Sequence, residues 1–209
     1  MVDPSLFLGK ADMIWLILAV LLWGILHSIL ASLKAKDLAR GWLGTRLMRF
    51  YRLLYNFLAV LTFIPILGLA AVTPDRKLYL VPFPWSGLMV IGETLAIAAL
   101  LVGFLQTGAM DFIGVRQLGE SKQPARLTTS GLYHYVRHPL YSAGLAFIWL
   151  LPYMTANVLA INIGLTVYVV VGAFYEERKL KHEFGLQYSD YATVTPMFVP
   201  FLKGNKKPR

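Results

Sequence analysis

Arg137 and His138 stand directly before Pro139 within GLYHYVRHPLY (Gly131–Tyr141), at the entrance to the apolar run Ser142–Leu151. Ionisable groups at membrane depth are expensive, so they face a cavity, a partner or an anionic ligand. A guanidinium and an imidazole can hold a carboxylate or a phosphate. Tyr133, Tyr135 and Tyr141 add hydroxyl donors and flat faces for a planar ring. A second polar cluster closes another apolar run: Glu176 and Glu177, then FGLQYSDY (Phe184–Tyr191). A carboxylate there can hold ribose hydroxyls or a cationic group. Such a set suits a nucleotide-like cofactor with an anionic end. The competing reading is structural: Arg137 snorkels to headgroups, and His138 with Pro139 caps a helical hairpin. The residue types alone leave both open.

The elements that must position these residues are membrane spans. The chain of 209 residues is 57% hydrophobic and 15% charged, against roughly 45–50% and about 25% in a soluble domain. Long apolar runs carry the excess, so an all-α integral membrane protein is expected. About five transmembrane helices are predicted, near Met13–Leu33, Leu53–Val72, Trp85–Leu105, Pro139–Leu151 and Ala156–Tyr175. The first lacks a basic leader, carrying Asp3 and Asp12 instead, and is long enough to span, so it does not read as a cleaved signal. Pro65 is placed to kink the second. The fourth reaches only about 20 Å, short of the ~30 Å hydrocarbon core. Pro139 suits a helix's first turn. Pro152 and Asn157 bracket the turn between the last two spans, which predicts a tight hairpin.

Loop charge predicts the orientation. Lys34, Lys36, Arg40, Arg46, Arg49 and Arg52 separate the first two spans, while Thr73–Pro84 holds only Arg76 and Lys77 beside Asp75. Arg116, Lys122, Arg126 and Arg137 precede the fourth span, and the tail is rich in Lys and Arg. The positive-inside rule puts the N-terminus outside and the C-terminus in the cytoplasm. Both polar clusters then lie on the cytoplasmic side. Trp15, Trp23, Trp42 and Trp85, in or near span ends, read as interfacial anchors. The net charge of +9 sits in these loops without a nucleic-acid-binding motif, so no nucleic acid is expected as a partner. There is no cysteine, hence no disulfide, thiolate metal site or cysteine nucleophile. No metal is expected. One domain over 1–209 is predicted, with a three-helix part at 1–107 and a cofactor-binding part at 108–209.

TSGLYHYVRHPLYSAG (Thr129–Gly144) and EERKLKHEFGLQYSDYATVTPMFVPF (Glu176–Phe201) together resemble the C-terminal signature of the isoprenylcysteine carboxyl methyltransferase family and its phospholipid methyltransferase relatives. The resemblance implies an integral membrane enzyme using S-adenosylmethionine, enclosed by the last two helices and the C-terminal segment. It assigns cofactor binding to Tyr133, His138, Pro139, Leu140 and Tyr141. It extends that role to the stretch from Ala125 through Arg126, Leu127 and Thr128 and, allowing one gap, to Gln117. The family's acidic pair falls on Glu176 and Glu177. Glu177 is taken with the cofactor, and Glu176 and Arg137 with catalysis. One departure stands out. Prenylcysteine enzymes place a carboxylate-binding arginine one turn before the acidic pair, where this chain has Gly172.

WGILHSILAS (Trp23–Ser32), YRLLYN (Tyr51–Asn56) and DFIGVRQ (Asp111–Gln117) are similar to segments of the methanethiol S-methyltransferases. The implied acceptor is a small thiol. His27 then joins the candidate catalytic residues, with an interhelical hydrogen bond as its competing reading. A thiol reacts as its thiolate, and Arg116, Arg137 or His27 could favour that anion. Glu93, deep in the third span, requires a partner, a water pocket or a proton. The expected function is methyl transfer to a small or lipophilic thiol. The alternative is a lipid acceptor, either a phospholipid amine or a prenylcysteine carboxylate. An NADPH-dependent sterol-reductase-like enzyme is more remote, since Pro139 and the short chain speak against it. The partners are therefore a small-molecule or lipid substrate and the bilayer itself.

Overall fold

The computed structural model describes residues 5–48, 50–107 and 126–202. Arg116, Gln117 and Ala125 lie outside the described residues. The helices are α1 (Ser5–Ala31), α2 (Leu33–Met48), α3 (Tyr51–Val72), α4 (Trp85–Gln106), α5 (Leu132–Tyr135), α6 (Pro139–Trp149), α7 (Ala156–Phe184) and α8 (Leu186–Val194). Two short strands, β1 (Lys77–Leu80) and β2 (Tyr153–Thr155), pair antiparallel with Leu80 opposite Tyr153.

Among the described residues, four helices are long and apolar enough to cross a bilayer: Met13–Ala31 of α1, then α3, α4 and α7. Leu, Ile and Val side chains along them point outward, as at Leu18, Ile25, Ile64, Leu95 and Val167. An apolar exterior is stable only against lipid, and helices meet that environment because they satisfy their own backbone groups. The chain is a multi-pass membrane protein. Pro65 lies inside α3 without ending it. α6 has 11 residues, a rise of about 16 Å. α7 runs past the expected end near Tyr175 to Phe184, so Glu176 and Glu177 lie on the same helix as the apolar run before them.

The fold divides into two compact units. Among described residues, the first holds 5–83 and 152–168, and the second holds 84–107, 126–151 and 169–202. In the first unit, Val20 of α1, Ile66 of α3 and Ile161 of α7 form a small core. Gly164 permits that approach, since a Cβ there would sit 2.8 Å from the Cβ of Val20. Asn157 is buried and ties the start of α7 to the end of α3. Its Nδ2 donates to the carbonyls of Ala70 and Thr73 at 3.0 and 3.1 Å, and its backbone N–H donates to Asp75 Oδ1 at 3.0 Å. In the second unit, α6 packs along α4, with Leu140 against Gly103 and Leu150 against Gly92. Gly131 takes a φ of +64° beside the Gln106 side chain. That turn starts α5, whose Leu132 N–H donates to Gln106 Oε1 at 3.1 Å. Glu93 is half-buried on α4.

Candidate functional site

The second unit draws Arg137, His138, Tyr141, Glu176 and Glu177 into one cluster. His138 precedes α6, and the proline that follows fixes where that helix starts. His138 is buried. Its ring stacks on Tyr141 at 5.3 Å and 11° between planes, and the Phe198 ring lies at 5.8 Å, tilted by 36°. His138 Nε2 lies 3.0 Å from Glu177 Oε1, whereas Nδ1 is 3.7 Å from Glu176 Oε2, beyond hydrogen-bond range. The carboxylate accepts from Nε2–H.

The two glutamates, adjacent in sequence, differ in environment. The Glu177 side chain is 9% exposed. Its Oε1 also accepts from the Tyr188 hydroxyl and lies 2.9 Å from Arg137 Nε. That guanidinium N–H is not aimed for a hydrogen bond, so the contact with Arg137 is an ion pair at close range. The Glu176 side chain is 43% exposed and accepts from the Tyr141 hydroxyl at 2.8 Å. Glu177 is the internal anchor, and Glu176 is the open carboxylate.

A C-terminal strap completes the arrangement. Arg137 Nη1 donates to the carbonyls of Ala192 and Thr195 at 2.8 and 3.2 Å. The backbone N–H groups of Arg137 and His138 donate to the carbonyls of Pro196 and Met197 at 2.9 and 3.1 Å. Ser142 Oγ donates to the Phe198 carbonyl at 2.7 Å, and the Tyr191 hydroxyl donates to the Tyr133 carbonyl. Gly185, at φ +54°, turns the chain from α7 into α8 so that Tyr188 and Tyr191 point back at this cluster. Burial, reinforced by the Glu176 charge, raises the Tyr133 phenol to about 12. Burial also raises Tyr188, with help from its bond to Glu177, and raises Tyr191. All three remain protonated donors at neutral pH.

The other sequence-identified positions fall as follows. Tyr133 is half-buried on α5, Pro139 is buried, and Leu140 packs on α4. Arg126 is exposed, and Leu127 and Thr128 are half-buried. Among the described residues no hydrogen bond links these three to the Glu176–Glu177 cluster. His27 lies in the first unit. A Cβ at Gly172 would meet only open space. Tyr188 and Tyr191 lie in the FGLQYSDY segment of the second polar cluster but were given no individual role from sequence, and Ser142 was not singled out. The signal that could have found the tyrosines is their spacing of three on a short helix that follows the acidic pair and a glycine break.

The donor set fits S-adenosylmethionine. Glu176, an exposed carboxylate held by Tyr141, suits hydroxyls or an ammonium. The Tyr133 and Tyr141 rings suit a purine face.

The phospholipid methyltransferase family matches residues 87–187. Methanethiol S-methyltransferase 1 of Bradyrhizobium diazoefficiens is 25% identical over 191 residues, covering 88% of this chain and 66% of the relative. A methanethiol S-methyltransferase of a Pseudomonas species is 30% identical over 196 residues, covering 88% of this chain and 74% of the relative. Protein-S-isoprenylcysteine O-methyltransferase B of Arabidopsis thaliana is 31% identical over 121 residues, 55% of this chain and 57% of the relative. The chain spans 66%, 42%, 44% and 42% of four of the methanethiol S-methyltransferases that it matches, less than two thirds of their length. No solved structure matches the chain.

Proposed function

Because the chain belongs to the membrane methyltransferase family that includes the methanethiol S-methyltransferases, we propose that it transfers a methyl group from S-adenosylmethionine to a small or lipophilic thiol. S-Adenosylmethionine, when bound, supplies an electrophilic methyl group on a sulfonium. Glu176 accepts hydrogen bonds from its hydroxyls or ammonium, and Tyr133 and Tyr141 provide ring faces. By the resemblance, Arg126, Leu127 and Thr128 also serve the cofactor, as does Gln117, which lies outside the described residues. Arg137 and Glu177 act as positioning residues, because their charges are engaged with each other and with the strap. They hold His138 and Tyr141 in place. Pro139 and Leu140 set the register of α6. In this reading residues 1–209 act as one domain with five spans, α6 and α7 forming the final hairpin. The N-terminus lies outside and the C-terminal strap lies in the cytoplasm.

One observation favours a thiol over a carboxylate acceptor. Gly172 offers no side chain where a prenylcysteine enzyme keeps its arginine, and Arg137 is already paired. A buried carboxylate without a charged partner costs several kcal/mol, on the order of 3–5. The test is a side-by-side assay of alkylthiols and farnesylcysteine analogues with purified protein and labelled S-adenosylmethionine, from about pH 6 to 9. Thioether should form, at a rate that rises as the thiolate forms. Methyl ester formation without thioether would overturn this reading and promote the lipid acceptor.

A further inference from the structure

The first unit contains a second polar group with no role in the cluster above. His27 lies on α1, four residues before the helix ends at Ala31. It is set among aromatic rings from three helices. Its imidazole stacks on Trp23 at 5.7 Å and 4° between planes, and it meets Tyr55 of α3 at 5.5 Å and Tyr168 of α7 at 6.4 Å. Phe63 and Tyr168 close on Trp23 at 4.8 and 5.5 Å, and the Trp23 indole N–H is engaged by the Ala59 carbonyl at 2.9 Å. Gly24 makes the enclosure possible, since a Cβ there would meet Tyr168 at 2.5 Å. Lys36 of α2 places its ammonium 6.0 Å from the Tyr55 ring, and Tyr51 stands beside Tyr55 at 5.8 Å.

Packing alone does not call for an imidazole here. His27 Nδ1 is buried with no hydrogen-bond partner, a defect worth about 1–3 kcal/mol. A phenylalanine would fill the same space without that cost. The interhelical hydrogen bond, the bland reading of this residue, is not made among the described residues. An unpaired buried N–H is a rarer defect than an unpaired acceptor, so Nδ1 carries the lone pair and the proton sits on Nε2. The ring is only half-buried, which leaves the Nε2–H edge as the side that a ligand can meet.

We propose that this aromatic box binds the sulfur of the acceptor thiol as its thiolate, with His27 Nε2–H donating a hydrogen bond to it. The proposal rests on the function above and deepens it by assigning the acceptor's site. Sulfur makes favourable contacts with ring edges, about 0.3–1.5 kcal/mol each. A thiolate is a large, weakly hydrated anion that a single N–H can hold, whereas a carboxylate is matched best by the bidentate fork of a guanidinium. The thiol's S–H bond breaks in water, the proton goes to solvent, and the electron pair stays on the sulfur that enters the box.

Two substitutions separate the hydrogen bond from the packing. His27→Phe keeps a ring and loses the donor, while His27→Gln keeps an N–H at a similar reach. His27→Phe should lower kcat/KM for ethanethiol about tenfold to a hundredfold, the worth of one charge-assisted hydrogen bond. His27→Gln should keep most of the activity, and S-adenosylmethionine affinity should be unchanged in both. Without S-adenosylmethionine, excess ethanethiol at about pH 9, where its thiolate fraction is far larger than at neutral pH, should raise the melting temperature of the unsubstituted protein and not that of His27→Phe. If His27→Phe fails to bind S-adenosylmethionine, His27→Leu is read in its place. Full activity without the donor, or an equal loss in the Gln and Phe variants, would overturn the proposal while leaving thiol methylation intact. No thioether from the unsubstituted protein, with S-adenosylmethionine still bound, would instead overturn the underlying function.

Discussion

Glu177→Gln tests whether the buried Arg137–Glu177 pair is what holds the strap and the His138–Glu176 cluster together. The substitution conserves shape and removes one charge. The Arg137 and Glu177 side chains are 10% and 9% exposed, so the guanidinium cannot turn to water for compensation. Leaving one member of a buried pair uncompensated costs about 3–5 kcal/mol. In a domain of this size each kcal/mol shifts the melting temperature by about 2–4 °C, so the drop should be about 6–20 °C. The assay is thermal unfolding of purified protein in detergent, followed by near-ultraviolet circular dichroism. The double substitution Arg137→Met with Glu177→Leu removes both charges and both desolvation costs. It should recover part of the loss. The remainder comes from the Ala192 and Thr195 carbonyls that Arg137 now satisfies, at about 1 kcal/mol each. A Glu177→Gln protein melting within about 2 °C of the parent would refute the reasoning, as would a double variant less stable than the single one.

Alkaline titration should separate the site tyrosines from the rest. Tyr133 moves from its ordinary 10.0 to about 12 on folding, so the fold favours its protonated form. That stability is complete below pH 10 and is lost as pH rises through the folded value. Ultraviolet phenolate absorbance should show a late-titrating group comprising Tyr133, Tyr188 and Tyr191, and Tyr133→Phe should remove one member of it. Simultaneous titration of every tyrosine near pH 10, with the protein still folded, would contradict this. For topology, reporters fused at the two ends should lie on opposite sides of the membrane, as five spans require. Finding both on one side would remove α6 from the count of spans.

Much of the architecture was legible in the chain because it follows from local composition. Runs such as Met13–Leu33 and Trp85–Leu105 are apolar enough that only a bilayer accommodates them, and the helices over them end within a few residues of where the pattern ends. Pro139 marked the start of α6 for an equally local reason, since its ring fixes a first-turn geometry and lacks the N–H that a first turn leaves unused. The residue types in the RHP and acidic-pair segments left a ligand-holding cluster and a purely structural one equally open, and the tertiary structure brings the two segments together. What sequence left open was which group meets which. Glu176 and Glu177 are chemically identical neighbours. Only the rotation of α7 decides that Glu177 turns inward to Arg137, His138 and Tyr188 while Glu176 stays open beside Tyr141. The end of α7 was misjudged because hydropathy stops at Tyr175, whereas the backbone hydrogen bonds of a helix continue through polar residues whose side chains find partners in the fold. Asn157 read as turn punctuation, yet its amide closes the end of α3, a partner more than eighty positions away. Local pattern sets which segments become helices and how deep they lie. The pairing of charges depends on helix rotation and on the return of the C-terminal strap, and those are fixed by contacts between segments distant in sequence.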